Sequence, residues 1–144
     1  MKENYTLLLE RLSSIRKLRG KILAEVNSKL GDISKTEYVL MHKICNGVER
    51  LKMSDLSDST GYSNAIITLS VDGLESKGFV KRRRGEDRRS YFVTLTRKGE
   101  EKCREIRRLE KESIEAIFAN MKAEDLSELQ EILKRLDDLI VKYV

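Results

Sequence analysis

A run of like charge beside an alternating segment is the feature that most constrains the fold of this chain. Residues Lys81–Arg89 contain six basic residues against two acidic ones, a local net charge of +4. Unpaired charge of this density is costly to bury, so the run must lie at the surface. Apolar and polar residues alternate from Tyr91 to Thr96 with the period of two that is typical of a half-buried strand. With another strand expected over Phe79–Arg83, the segment predicts a β-hairpin with a charged turn.

Helical periodicity dominates the rest of the chain. Apolar spacing predicts a long helix over the first thirty residues, ended by Gly31. The run Ser34-Lys35-Thr36-Glu37 has the form of a capping box, in which the serine and glutamate side chains bond each other's backbone amides. Leu51–Met53 is compatible with a short strand. The further predicted helices cover about Lys35–Cys45, Ser54–Ser59, Ser63 (as N-cap) to Lys77, Arg97–Asn120 (capped by Thr96) and Glu124–Tyr143.

The C-terminal helix carries an apolar seam suited to helix–helix contact. Leucines, an isoleucine and a tyrosine recur at positions 126, 129, 133, 136, 140 and 143, a heptad pattern. The first, fifth and sixth helices would each be ~30–40 Å long, at 1.5 Å per residue. The roughly seventy residues between the first and fifth helices form too small a unit to cover them, so a symmetric partner is expected. Residues 123–144 hold six acids against three bases, which excludes this helix as the surface for a polyanion.

Length and composition limit the classes of function. The 144 residues suggest a single domain, and a net charge of +5 permits a polyanionic partner. No apolar run approaches the ~18 residues of a membrane span, and the charged N-terminus is unlike a signal peptide, so we expect a cytoplasmic protein. The sequence shows no nucleophile motif, Gly-rich phosphate loop or metal signature. We therefore expect no enzyme activity, cofactor or metal.

The two cysteines leave alternatives open. Cys45 and Cys103 are far apart and form no CxxC pattern, which argues against a disulfide framework or a zinc site. His42 and Cys45 share a helix face, as in a Cys–His dyad or half of a metal site. With no third partner in the sequence, a buried cysteine beside a half-exposed histidine is favoured. Redox sensing by either cysteine requires a lowered pKa, which the sequence does not determine.

Two short helices around a glycine turn indicate a helix-turn-helix. Leu56–Ser59, Thr60-Gly61-Tyr62 and Ser63–Lys77 fit this motif, whose second helix enters the major groove of double-stranded DNA. With the charged hairpin directly after it, the order of elements predicts a winged helix. The helix can read base edges while the basic loop reaches phosphates or the neighbouring minor groove. The candidate basic contacts are Arg82, Arg83, Arg84, Arg88 and Arg89.

The segment from Met53 to Gly99, MSDLSDSTGYSNAIITLSVDGLESKGFVKRRRGEDRRSYFVTLTRKG, resembles the multiple-antibiotic-resistance regulator (MarR) family. The matches are Asp55-Leu56, the Gly61 turn, Val71-Asp72, Leu74-Glu75, Lys77-Gly78, Asp87-Arg88-Arg89, Leu95-Thr96 and Lys98-Gly99. The flanking long helices also stand where that family has its dimerisation helices. The resemblance therefore covers nearly the whole chain, and the ordered set of matches is specific.

The resemblance implies a mainly α fold, an α+β winged helix-turn-helix with six helices and a small β-hairpin wing. One domain, 1–144, would contain a DNA-binding winged helix at about 33–96 and dimerisation helices at about 1–30 and 97–144. Proteins of this family are usually homodimers on pseudo-palindromic DNA, released by a small aromatic ligand or by cysteine oxidation. By resemblance, Asp87 braces the wing through ion pairing and Arg89 enters a minor groove. The start of the recognition helix falls on Ser63, Asn64, Ala65, Ile66 and Thr68.

The chain departs from the family pattern in its recognition helix. Leu69 and Gly73 stand where the family often has arginine or lysine, and residues 59–71 carry no charge. The wing is one residue shorter and lacks the frequent proline at its tip. Gly73 also costs the helix ~1 kcal/mol relative to alanine. We expect the wing to supply an unusually large share of the DNA affinity, with readout by Asn64 and Thr68 and by apolar contact of Ala65 or Ile66 with thymine methyls.

These observations predict a sequence-specific, dimeric transcriptional regulator, expected to act as a repressor. The alternatives are a winged-helix adaptor that binds proteins without DNA, and a regulator that senses redox state through cysteine. The basic hairpin argues against the adaptor, which has no need of a local charge of +4.

Overall fold

The computed structural model describes residues 2–47, 51–87 and 89–144. Over these residues the chain forms six helices and three short strands. The helices are α1 (Lys2–Lys29), α2 (Lys35–Asn46), α3 (Met53–Thr60), α4 (Asn64–Ser76), α5 (Arg97–Ile117) and α6 (Ala123–Tyr143), and the strands are β1 (Leu51–Lys52), β2 (Val80–Arg84) and β3 (Tyr91–Leu95). The sheet is antiparallel in the order β1-β3-β2. We call β2, β3 and the turn between them the wing. The predicted fold class is confirmed.

Local capping explains where the helices begin. Ser34 and Glu37 form the predicted capping box of α2, with the Ser34 amide donating to the Glu37 carboxylate at 2.8 Å. The Ser63 hydroxyl accepts from the amide of Ile66 at the start of α4, and the Thr96 hydroxyl caps α5. The observed ends of the helices and strands differ from the predicted ones by up to three residues. For example, α5 ends at Ile117 and not at Asn120, and β2 is shifted by one residue.

The hydrophobic core belongs to the winged helix. Fully buried side chains come from α2, α3, α4 and the wing, and include Tyr38, Leu40, Met41, Leu56, Ile67, Val71, Leu74, Val80 and Val93. Val26 near the end of α1, Leu30 just after that helix, and Ile106 and Leu109 in the middle of α5 add to the same core. By contrast, α6 contains no buried residue, and the first half of α1 exposes Leu8 and Leu12. None of the described helices is long and apolar enough to cross a bilayer.

The cysteines correct one expectation from the sequence. Cys45, at the end of α2, and Cys103, in the second turn of α5, form a disulfide between two buried side chains. The argument against a disulfide was wrong because spacing along the chain does not report distance in space. The packing of α2 against α5 brings together two residues that are 58 positions apart. The Arg107 guanidinium also donates to the carbonyl of Cys45 at 2.7 Å, which joins the two helices at the same level.

Two ion pairs with buried members hold the winged helix together. The Glu37 side chain, 8% exposed, accepts from the Lys77 ammonium at 2.7 Å and joins α2 to the residue that ends α4. Burial alone would raise the pKa of Glu37, but the bonds from Lys77 and Ser34 lower it overall. Lys102 is likewise buried and pairs with Asp32 at 2.7 Å, which ties α5 to the turn before α2. Both pairs fix α2 within the unit that presents α4.

Candidate nucleic-acid interface

The turn between α3 and α4 is locked by backbone conformation and by hydrogen bonds. Gly61 has a φ of +73°, in the left-handed region that favours glycine, and its amide donates to the carbonyl of Ser57. The hydroxyl of Ser57 donates to the carbonyl of Tyr62 at 2.9 Å, across the turn. The hydroxyl of Thr60 accepts from the Tyr62 amide. The predicted helix-turn-helix is therefore present, with a defined angle between its two helices.

One side of α4 faces outward and is uncharged. The five predicted contact residues, Ser63, Asn64, Ala65, Ile66 and Thr68, are all exposed. Leu69 is 73% exposed on the same helix, whereas Ile67, Ser70, Val71 and Leu74 face the core. The structure thus brings the predicted readout residues together at the accessible N-terminal end of α4. Contact with DNA by each of them stays a prediction.

Arg82 lies between the wing and α4 rather than in solvent. Its guanidinium pairs with the carboxylate of Asp72, lies 3.3 Å from that of Glu75 and donates to the Thr68 carbonyl at 3.2 Å. Its backbone amide also donates to Glu75, at 2.9 Å. Arg82 therefore clamps β2 to α4 and offsets two negative charges beside the outward face. The clamp was not foreseen from the sequence, although two acids three residues apart on α4 were a visible signal. A direct DNA contact by Arg82 stays a prediction.

The other wing arginines reach away from the core. Arg83, Arg84 and Arg89 are exposed, whereas Arg88 lies outside the described residues. The Arg84 guanidinium stacks over the ring of Tyr91, 5.7 Å from its centroid, and donates to the Tyr91 hydroxyl at 3.2 Å. Tyr91 is the cross-strand partner of Arg84, so the pairing register of the two strands sets this contact.

The turn of the wing is closed by its own backbone. The Gly85 amide donates to the carbonyl of Ser90 at 2.9 Å, and the Ser90 amide donates to that of Asp87. The carboxylate of Asp87 accepts from the Arg89 amide at 3.3 Å. A side chain at Gly85 would lie only 2.5 Å from the ring of Phe92, so glycine permits this close approach. Asp87 thus contributes two hydrogen bonds to the turn, through its carbonyl and its carboxylate, and its role as an ion-paired brace of the wing stays a prediction.

An apolar cavity of about 280 Å³ lies beside the winged helix, among α1, α2, α5 and α6. Its lining includes Ile15, Leu18, Ile22, Ile114, Leu129 and Leu133, together with the polar residues Arg19, Tyr38, His42 and Glu110. The Glu110 carboxylate accepts from the Tyr38 hydroxyl at 2.9 Å and from Nδ1 of His42 at 2.6 Å. Sequence inspection missed this cluster because Glu110 is 68 residues from His42.

The polar cluster of the cavity keeps Glu110 ionised. Burial would raise the pKa of Glu110, but the hydrogen bonds from His42 and Tyr38 outweigh it and lower that pKa. Burial, and then the hydrogen bond to the carboxylate, raise the pKa of Tyr38, so its hydroxyl remains a donor. Within the part of the chain that the structure describes, no three His, Cys, Asp or Glu side chains form a cluster that could hold a metal ion.

Comparison with known proteins supports the resemblance found in the sequence. Residues 33–91 match the model of the MarR family. An uncharacterized HTH-type transcriptional regulator of Bacillus subtilis, YdgJ, is 33% identical over 89 residues, which is 61% of this chain and 54% of that protein. The transcriptional repressor MprA of Escherichia coli K12 is 29% identical over 87 residues, 60% of this chain and 49% of that one. The chain thus spans about half the length of the curated relatives it matches.

Solved structures match over a larger share of the chain. A MarR transcriptional regulator from Methanosarcina mazei Go1 superposes with a TM-score of 0.77 at 21% identity, covering 95% of this chain and 99% of that one. The transcriptional regulator BldR from Sulfolobus solfataricus has a TM-score of 0.69 at 28% identity, with 94% and 99% covered. These structures share the arrangement of long helices around a winged helix, so the fold extends well beyond the family-model match.

Proposed function

We propose, on the premise that residues 33–91 form a MarR-family domain, that this protein is a DNA-binding transcriptional regulator that acts as a homodimer. The observation that carries the proposal is the Arg82 clamp. It joins an exposed, uncharged helix face to an exposed basic wing, so that α4 and the wing approach DNA as one unit. In this arrangement α4 enters a major groove, and the wing reaches the flanking backbone or minor groove.

The distribution of charge suggests different roles in DNA binding for α4 and for the wing. The exposed start of α4 offers an amide, a hydroxyl and apolar groups, which suit base edges and thymine methyls but neutralise no phosphate. The cations lie on the wing, at Arg83, Arg84 and Arg89. Phosphate neutralisation supplies most of the non-specific affinity of DNA-binding proteins. We therefore assign most of the affinity to the wing and the sequence preference to Asn64, Thr68 and Ile66.

The salt dependence of DNA binding tests this division. Replacing Arg89 by alanine should reduce the slope of log affinity against log salt by about 1 and weaken binding to all sequences alike. Arg135→Ala removes the same charge from α6 and is the matched control, expected to leave slope and affinity unchanged. Equal slopes for wild type and Arg89→Ala would refute the role of the wing. A winged-helix adaptor would give no shift of random duplex at low salt, with either variant or with wild type.

The exposed apolar faces support the homodimer. No residue of α6 is buried, and Ile132, Leu133 and Ile140 on it are each at least 40% exposed. Leu8, Leu12 and Ile15 form a similar stripe on α1. Surface of this extent is normally covered in a folded protein, and a twofold partner also supplies a second recognition helix. Two such helices read half-sites about 10 bp apart, so DNA selected from a random pool should be pseudo-palindromic with that spacing.

Ligand control is proposed for the apolar cavity. Its volume is slightly below the ~300–1,000 Å³ that is usual for small-molecule sites, which suits a ligand of about one aromatic ring. Arg19 supplies a cation at its wall, and the cluster of Tyr38, His42 and Glu110 supplies fixed polar groups. Aromatic acids should weaken DNA binding by the wild type, and Ile114→Trp, which fills the cavity, should remove the response. A panel of such acids without effect on DNA affinity would contradict ligand control.

We also propose that the protein is a repressor and that it acts in the cytoplasm. A dimer bound at a promoter blocks transcription without any additional domain or partner protein. The E. coli relative is named a transcriptional repressor. Because the curated relatives are bacterial proteins, we place this regulator in the cytoplasm, where a bacterial chromosome lies. The rival mode of control is oxidation of Cys45 and Cys103. Replacing both cysteines by serine separates the two modes, because only redox control would lose its response to peroxide.

A further inference from the structure

A second concavity, which we call the basic cleft, lies between α1, α2 and the turn of the helix-turn-helix. Its volume is about 430 Å³. Arg16 and Arg19 line it from α1, Lys35 and Lys43 line it from α2, and the turn contributes Tyr62. The cleft therefore joins the long first helix to the element that presents α4. No residue of α4 or of the wing is among those that line it.

The charges around the basic cleft are unbalanced. Among the described residues no carboxylate lines it, and none of its four cations has a carboxylate partner within 4.0 Å. Lys35 is the first residue of α2, at the end of a helix where the dipole disfavours a positive charge. Like charges gathered in a concavity raise its affinity for anions. An anion in the cleft would offset both the mutual repulsion and the unfavourable position of Lys35.

We propose that the basic cleft binds a small phosphorylated molecule that carries at least two negative charges. One carboxylate balances only one of the four cations, so a simple aromatic acid is a poor match for the site. Arginine and lysine together suit phosphate, which accepts several charge-assisted hydrogen bonds at once. The volume falls within the ~300–1,000 Å³ of small-molecule sites, and residues from three elements line the concavity, which suits a compact ligand.

The position of the basic cleft gives such a ligand a route to DNA binding. Arg19 lines both the basic cleft and the apolar cavity, so the two sites share a side chain. A ligand between α1 and the helix-turn-helix turn would fix the angle between these elements. In the proposed dimer, that angle would affect the spacing of the two recognition helices. The binding site itself, however, requires neither the dimer nor DNA, and so goes beyond the proposed function.

Calorimetric titration of the whole protein with inorganic pyrophosphate tests the proposal. The double variant Arg16→Gln/Lys35→Gln should bind pyrophosphate about tenfold more weakly than wild type, or worse. Lys17→Gln/Lys21→Gln removes the same charge from exposed positions of α1 outside the cleft, and should change the affinity less than twofold. Lys43→Gln is a milder second variant, useful if the first fails to fold, and should also weaken binding.

Three outcomes would overturn the proposal. Wild type could fail to bind pyrophosphate, or cleft and control variants could bind it equally. In the third outcome, neither the wild type nor any variant binds pyrophosphate, but the cleft variant has a lower DNA affinity and a lower salt slope than the wild type. That result would mean that the cleft binds DNA phosphates. Electrophoretic shift without pyrophosphate reports DNA binding alone, so failure of the proposed function is recognised separately.

Discussion

Replacing Gly73 by alanine tests how α4 packs against α2. An alanine in place of a glycine inside a helix ordinarily stabilises a protein by ~1 kcal/mol. Here the added Cβ would lie 2.5 Å from Oε2 of Glu37 and 3.2 Å from its Cδ. The Glu37 carboxylate is held in place, because it accepts from the Ser34 amide at 2.8 Å and from Lys77 at 2.7 Å. The added methyl group therefore fits only if the anchored Glu37 carboxylate moves.

The balance of these effects predicts that Gly73→Ala destabilises the protein, whereas glycine-to-alanine substitution in a helix ordinarily stabilises it. A hydrogen bond to a charged group contributes ~1.5–3 kcal/mol, and the alanine disturbs more than one. The contribution of Lys77 is discounted, because its side chain is 36% exposed to solvent. After subtraction of the helix-propensity gain, we expect Gly73→Ala to lower the free energy of unfolding by about 1 kcal/mol. In a Glu37→Ala background the obstacle is absent, and the same substitution should stabilise by ~1 kcal/mol.

Urea denaturation at one fixed protein concentration measures both values, since dissociation makes the stability of a dimer depend on concentration. Gly20→Ala is the matched control. Gly20 lies within α1 with nothing within 4 Å of the position of a Cβ, so alanine there should stabilise. The reasoning is refuted if Gly73→Ala stabilises as much as Gly20→Ala, or if removal of the Glu37 side chain leaves its effect unchanged.

Four further predictions follow from single contacts. The pKa of Glu110 is lowered on folding from its ordinary 4.5, so the unfolded chain takes up a proton first on acidification. Stability should be full above the ordinary value and fall as the pH drops through the lower folded pKa, as followed by urea melts at stepped pH. Reduction of the Cys45–Cys103 disulfide should cost about 2–4 kcal/mol of stability, measured with and without dithiothreitol. Ile140→Glu should convert the proposed dimer to monomer in light scattering, because it places a charge in the apolar face of α6. Arg82→Gln should lower the melting temperature and leave the salt slope unchanged, whereas loss of a phosphate contact would reduce that slope by about 1.

Each of these has its own control. Glu110→Gln should make the acid dependence shallower without removing it, because Glu37 also has a lowered pKa and contributes to it. An unaltered pH profile would exclude a contribution from Glu110. In a protein with both cysteines replaced by serine, dithiothreitol should leave the free energy of unfolding unchanged. Gln130→Glu adds the same charge to α6 at an exposed polar position, and dissociation by this variant as well would deny a specific apolar contact. A lower salt slope for Arg82→Gln would instead support the DNA contact that the sequence predicts for Arg82.

Much of the candidate interface could be read from local sequence. The exposed start of α4 follows from helical periodicity, and the wing follows from alternation and charge, because both patterns reflect which side of an element meets water. The role of Arg82 could not be read in this way. Within the sequence it is one of six bases in a charged run, and only the pairing of β2 beside α4 turns its side chain toward Asp72 and Glu75.

Local chemistry along the chain is enough to specify the order and kind of the helices and strands, since capping, turn chemistry and hydrophobic period act over a few residues. Ser34 and Glu37 begin α2, and Gly61 turns the chain between α3 and α4, as local chemistry dictates. Tertiary structure alone decided the contacts between distant segments, namely the disulfide, the polar cluster around Glu110 and the basic cleft. These contacts depend on how helices pack, and packing is set by the whole core rather than by the spacing of any two residues.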